Sequence, residues 1–139
     1  VSVLKINNDL ERMGDLAKNI AKRAAYLAGN GPPEFTDDVR MIAGKAQAMV
    51  KRCLDALVEA DANLARHVRE DDDEVDALHK GLQTKVRQRL KQVPENVETW
   101  LKWSSVGKHL ERLADMATHV AEDVIYMVEG EIVRHRPEE

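Results

Sequence analysis

From Val3 to Leu27, apolar side chains recur alternately three and four residues apart: Val3, Ile6, Leu10, Met13, Ala17, Ile20, Ala24 and Leu27. That interval keeps them along one side of an α-helix, in the seam of a coiled-coil-like packing. The seam returns late in the chain as Trp103, Val106, Leu110, Leu113, Ala117, Val120, Val124 and Met127. A half-buried strand would need a period of two, and β-rich stretches are absent. Four prolines occur in 139 residues, and Pro32, Pro33 and Pro94 stand where helices should break. The pattern therefore specifies an all-α chain.

Four helices follow. The first runs roughly from Val3 to Ala28 and is stopped by Gly29-Asn30-Gly31-Pro32-Pro33, where glycine can take a left-handed cap and proline cannot continue the helix. Thr36 is placed to N-cap the second, with Asp37 and Asp38 in its first turn. That helix reaches about Glu59 through Val39, Ile42, Ala46, Met49, Val50, Cys53, Leu57 and Val58. Asp61 can cap a third helix that continues to about Gln92 through Leu64, Val68, Val75, Leu78 and Leu82. Pro94 and Asn96 open the fourth, expected to end near Glu129, before Gly130. Trp103 falls on its seam and should be core, with Trp100 partly exposed beside it. Short connections between long helices imply antiparallel neighbours.

Helices one and four are versions of one another. Leu10-Glu11-Arg12-Met13-Gly14-Asp15 matches Leu110-Glu111-Arg112-Leu113-Ala114-Asp115, and Ala17, Ala21 and Tyr26 recur as Ala117, Ala121 and Tyr126. Seven of the seventeen positions from 10 to 26 are identical at an offset of one hundred, which marks a duplication. Helix four closes a bundle with helices two and three. The equivalent partners of helix one would lie upstream of Val1, so its seam is left uncovered and should drive self-association.

Composition narrows the function. A formal charge of −4 argues against nucleic acid, which needs a basic face. The basic run from Lys85 to Lys91 reads as a solvated helix face. The single Cys53 excludes an internal disulfide and reads as packing. No stretch approaches the ~20 apolar residues of a membrane span and no signal peptide is seen, so the chain is expected to be soluble and cytoplasmic. It begins at Val1 inside a helical pattern, which reads as a truncated start.

The chemistry lies in carboxylates. Glu11 and Asp15 are four residues apart, as are Glu111 and Asp115, and Asp72 and Asp76. That spacing stacks two acids on one helical face, at a cost unless something neutralises them. Glu122 extends the second pair. Two such helices side by side would converge four carboxylates, an oxygen-rich set suited to a hard divalent or trivalent cation. The alternative is a solvated face in which Arg12 and Arg112 pair with the acids. His119 and His79 could each add a nitrogen. Asp76-Ala77-Leu78-His79 resembles half of a di-iron carboxylate-x-x-His pattern, but occurs once and with Asp in place of Glu. No Ser-His-Asp arrangement, P-loop or dinucleotide motif is found.

Leu-Glu-Arg-x-x-Asp in two helices, the second continuing as Ala121-Glu122-Asp123-Val124-Ile125-Tyr126-Met127-Val128-Glu129-Gly130-Glu131 and then Arg134-His135, closely resembles the PhoU family. Ala65 to Leu78, with Asp72-x-x-Val75-Asp76, resembles that family's penultimate helix. The resemblance implies tandem three-helix bundles. Residues 1–29 would be the last helix of a truncated first bundle, 36–130 the second bundle and 131–139 a tail. It places the family's acidic motif on Glu11/Asp15 and Glu111/Asp115, which with Asp72 and Asp76 form the candidate metal set. Iron, zinc, manganese and magnesium suit it alike. It implies no catalysis. The expected role is a cytoplasmic, homodimeric regulator of phosphate uptake and phosphate-starvation signalling. Its partners would be the ATPase of a phosphate ABC transporter and a sensor histidine kinase, with at most peripheral membrane association. Ala114 and His119 stand where the family usually has Gly and Asn, whereas Gly14 and Asn19 keep the pattern in the first copy. Other readings are a carboxylate-rich metal bundle with redox or hydrolytic activity, and a structural helical adaptor.

Overall fold

The computed structural model describes residues 2–30 and 33–134. Helix α1 spans Ser2–Gly29, α2 Thr36–Glu59, α3 Ala62–His67, α4 Asp72–Gln92 and α5 Val97–Arg134. Short 3-10 turns, Val68–Asp71 and Pro94–Asn96, precede α4 and α5. Among the described residues there is no strand. Gly31 and Pro32 of the expected helix stop, and residues 135–139 of the expected tail, lie outside the described residues.

Helix α5 is the spine. Its 38 residues make a rod about 57 Å long at 1.5 Å per residue. Helices α2, α3 and α4 pack on one side of it, and α1 packs on α5 alone. The core against α2 and α4 follows the expected periodicity. Ile42, Ala46, Met49, Cys53 and Ala56 of α2 are fully buried, with Val75 and Leu82 of α4 and Ala117, Val120 and Val124 of α5. Leu110 is buried and Leu113 half-buried. Burial pushes the Cys53 thiol up to about 12, so it is inert packing. Val58, expected on the apolar face, is instead exposed. It sits at the helix end, where Ala60 turns left-handed at φ 52°. The Asp61 N–H closes that turn on the Ala56 carbonyl at 2.9 Å.

Several boundaries differ from the sequence reading. The third helix is not continuous. Asp61 caps α3 as expected, accepting from the Leu64 N–H at 3.0 Å, but the 3-10 turn Val68–Asp71 resets the helical phase before α4 begins. Thr36 is the first residue of α2, with Phe35 at the capping position, and its hydroxyl donates to the Pro33 carbonyl instead. Helix α5 does not stop at Gly130 but runs through it to Arg134; one glycine costs a helix only about 1 kcal/mol. Trp100 is buried, not partly exposed. Its indole donates to the Val93 carbonyl at 2.8 Å, and Phe35 meets Trp100 and Trp103 edge-on.

The seam of α1 is not left wholly uncovered. The helix lies antiparallel along α5, with Lys5 reaching Asp123 at 3.3 Å and Arg23 reaching Ser105 at 2.5 Å. The line it turns to α5 is Ile6, Asp9, Met13, Leu16, Ile20, Arg23 and Leu27, all buried or half-buried. This line shares Ile6, Met13, Ile20 and Leu27 with the expected seam and is also spaced alternately three and four. Across it stand the equivalent α5 positions, among them Met116, Val120 and Asp123. The flank Val3, Ala17 and Ala24 remains exposed, whereas its counterpart Trp103, Ala117 and Val124 on α5 is buried under α2 and α4. One helix can cover one flank only.

Candidate metal centre

Packing of α4 against α5 brings the acids together. The two helices approach closely at Gly107, where a Cβ would stand 2.7 Å from Leu82 Cδ2. The reset at Val68–Asp71 then divides the acidic run between two neighbours. Asp71 pairs with Arg52 of α2 at 2.9 Å and Glu74 pairs with Lys45 of α2. Asp72 is left on the α5 side, one turn before Asp76. Asp72, Asp76 and Asp115 each offer a carboxylate oxygen, and these oxygens all lie within 4.8 Å of one another.

That spacing fits a cation. Oxygens on opposite sides of an ion stand apart by twice the metal–oxygen distance, about 4–5 Å for the 2.0–2.6 Å bonds of magnesium and calcium. Asp72 Oδ1 is buried and without a hydrogen-bond partner among the described residues. Burial, followed by the charges of Asp76 and Asp115, raises the Asp72 pKa. Asp115 is pushed up from its ordinary 3.8 to about 6 by burial, then by hydrogen bonding and repulsion from Glu111 and repulsion from Asp76. Groups this reluctant to ionise together are what a bound cation relieves.

Stability should therefore depend on pH in a stated direction. Below 3.8 Asp115 is protonated whether the chain is folded or not. Between there and about 6 the unfolded chain loses the proton first, so folding weakens as pH rises, and above about 6 the penalty stays constant. In metal-free protein, Asp115→Asn should then raise the melting temperature above pH 6. A variant that melts at or below the wild type there would show that the carboxylates do not repel.

His79 and His119 flank the cluster. Burial lowers the His79 pKa, which favours the neutral ring. Gln83 Nε2 donates to the Ser104 carbonyl at 3.1 Å and lies 3.0 Å from His79 Nε2, while Ser104 Oγ donates to Gln83 Oε1 at 2.6 Å. With the amide so oriented, His79 Nε2 accepts and the ring proton sits on Nδ1. His119 is exposed, with its charge favouring ionised Asp72 and Asp115. Glu122 does not extend the acidic face, because Arg69 binds it at 2.8 Å.

Glu11 and Asp15 are exposed on α1, and no helix among the described residues stands beside them as α4 stands beside Glu111 and Asp115. Asp15 instead faces Asp115 across a groove of about 470 Å³ whose lining repeats the duplication. Arg12, Asp15, Leu16 and Asn19 of α1 meet Arg112, Asp115, Met116 and His119 of α5. Sequence reasoning missed the Gly107 contact, the Gln83–Ser104 clamp and the buried Asp9 and Asp123. An isolated glycine in a helical pattern was a signal for the first. The two alternative three-four seams through Ile6 and Met13 were a signal for Asp9.

A helical bundle with a duplicated long helix and carboxylates converging on its surface defines a class of bundle proteins. Comparison with protein families narrows it: the PhoU domain matches residues 1–24 and 39–124. The "phosphate-specific transport system accessory protein PhoU homolog" of Aquifex aeolicus is 38% identical over 98% of this chain and 62% of its own length. That of Pseudomonas aeruginosa is 37% identical over 97% of this chain and 56% of its own length. The crystal structure of PhoU from Pseudomonas aeruginosa superposes with a TM-score of 0.84 at 36% identity, covering 93% of this chain and 62% of the other. The chain belongs to the PhoU family. It spans about three-fifths of the length of these relatives.

Proposed function

We propose that this chain is the regulatory part of a phosphate-uptake accessory protein, acting through protein contacts and without catalysis. In this reading it works in the cytoplasm as a homodimer. There it couples the ATPase of a phosphate ABC transporter to a sensor histidine kinase and restrains starvation signalling when phosphate is plentiful. The observation that carries the reading is the duplicated Leu-Glu-Arg-x-x-Asp helix within a chain matching the PhoU domain over two stretches. Among the described residues no helix is long and apolar enough to cross a membrane. Residues 1–29 are read as the last helix of one three-helix unit and 36–130 as the next. The exposed Val3, Ala17 and Ala24 flank supports this, since the matching flank of α5 is covered by two helices.

Within that role, Asp72, Asp76 and Asp115 would hold a divalent or trivalent cation, with Glu111 beside them. The ion would neutralise the cluster and tie α4 to α5. The chain immobilised on resin should retain both the transporter ATPase and the kinase from purified mixtures. Retention of neither would end the regulatory reading in favour of a metal-binding or purely structural bundle.

A further inference from the structure

Between α4 and α5 runs a groove of about 690 Å³ with no acidic residue in its lining. Its charges are Lys80 and Arg87 of α4 and Lys108 of α5, all exposed and forming no ion pair among the described residues. The neighbouring Lys85 and Arg89 are held by Asp38 of α2 and by Glu34, which lies just before that helix, so α4 separates its cations into a paired side and a free side. The groove is also apolar: Leu90 is half-buried and Leu101 stands 50% exposed. A chain with net charge −4 thus keeps a groove lined by three cations without direct ion pairs among the described residues, with an apolar strip along it.

We propose that this groove docks an acidic segment of a partner protein, with carboxylates on Lys80, Arg87 and Lys108 and an aliphatic side chain against Leu90 and Leu101. Charge complementarity selects the acidic partner. The apolar strip selects a polypeptide over inorganic phosphate, which has nothing to place there, and the concave form between two helices suits a peptide chain better than a membrane face. The proposal extends the reading of the protein as a contact-mediated regulator by naming a docking face; the groove meets the carboxylate cluster at His79, but its three cations are not part of that cluster.

The test is fluorescence anisotropy of a labelled peptide of alternating glutamate and leucine against the full chain. Reversing Lys80→Glu, Arg87→Glu and Lys108→Glu together should weaken binding roughly tenfold or more. Reversing the exposed Lys18, Lys22 and Lys51 on α1 and α2 should change it by less than about twofold. Leu101→Ser should weaken binding while leaving its salt dependence intact. Should the charge reversal disturb folding, seen by circular dichroism, the set Lys80→Gln, Arg87→Gln and Lys108→Gln should still weaken it. Equal losses from groove and control reversals, no peptide binding, or binding of anionic phospholipid vesicles in place of the peptide would each overturn the proposal. Retention of the transporter ATPase or the kinase by the groove variants at wild-type strength would remove this face alone and leave the regulatory reading standing.

Discussion

Truncating Leu82 to alanine should destabilise the bundle by about 2–5 kcal/mol. Leu82 is fully buried between α4 and α5, and its Cδ2 occupies the space that any side chain at position 107 would claim. Gly107 has no atoms with which to refill the hole, so the cavity should persist and the cost should fall toward the upper end. The pair is also coupled. Gly107→Ala alone gains helix propensity worth about 1 kcal/mol but drives its Cβ to 2.7 Å from Leu82 Cδ2. In the Leu82→Ala background that methyl group enters vacated space. Urea denaturation of the four-member cycle should show the double variant more stable than the two single effects sum to. Strict additivity would mean that the helices are not in contact there.

The second large effect is loss of metal. Glu111→Ala with Asp115→Ala should abolish uptake of divalent or trivalent cation, because it removes one of the three converging carboxylates and its hydrogen-bonding neighbour. Glu11→Ala with Asp15→Ala should leave uptake unchanged, because neither residue is among the converging carboxylates and Asp15 is separated from Asp115 by the groove between α1 and α5. In the wild type, cation at a hundredfold its dissociation constant should add about 2.7 kcal/mol of stability. Elemental analysis and thermal shifts measure both. The Glu111/Asp115 variant should show no shift yet melt higher than the metal-free wild type, since repulsion is relieved. Undiminished uptake by that variant would remove the site.

Seam spacing alone was enough to place α2 and most of α5, because a three-four interval admits one burial pattern when two partners flank the helix. Asp61 was legible as a cap and Cys53 as packing for equally local reasons. The acidic pairs could be read as pairs, since residues four apart share a helical face whatever surrounds them. Their fate could not be read so. Asp71, Asp72 and Glu74 stand within one short run, yet two are claimed by Arg52 and Lys45 of α2 and one faces α5. That division depends on the 3-10 turn at Val68–Asp71, which shifts the phase of α4.

The amino-acid sequence by itself determined the helical class, the duplication and the carboxylate spacing, because each is set by interactions within a few residues along one helix. Tertiary structure alone decided which flank of α1 is covered, where Trp100 goes and which acids converge. These follow from the rotation of one helix against another. Two seams through Ile6 and Met13 are equally regular, and contact with α5, whose packing surface is a single helix wide, selects the one through Asp9 and Arg23.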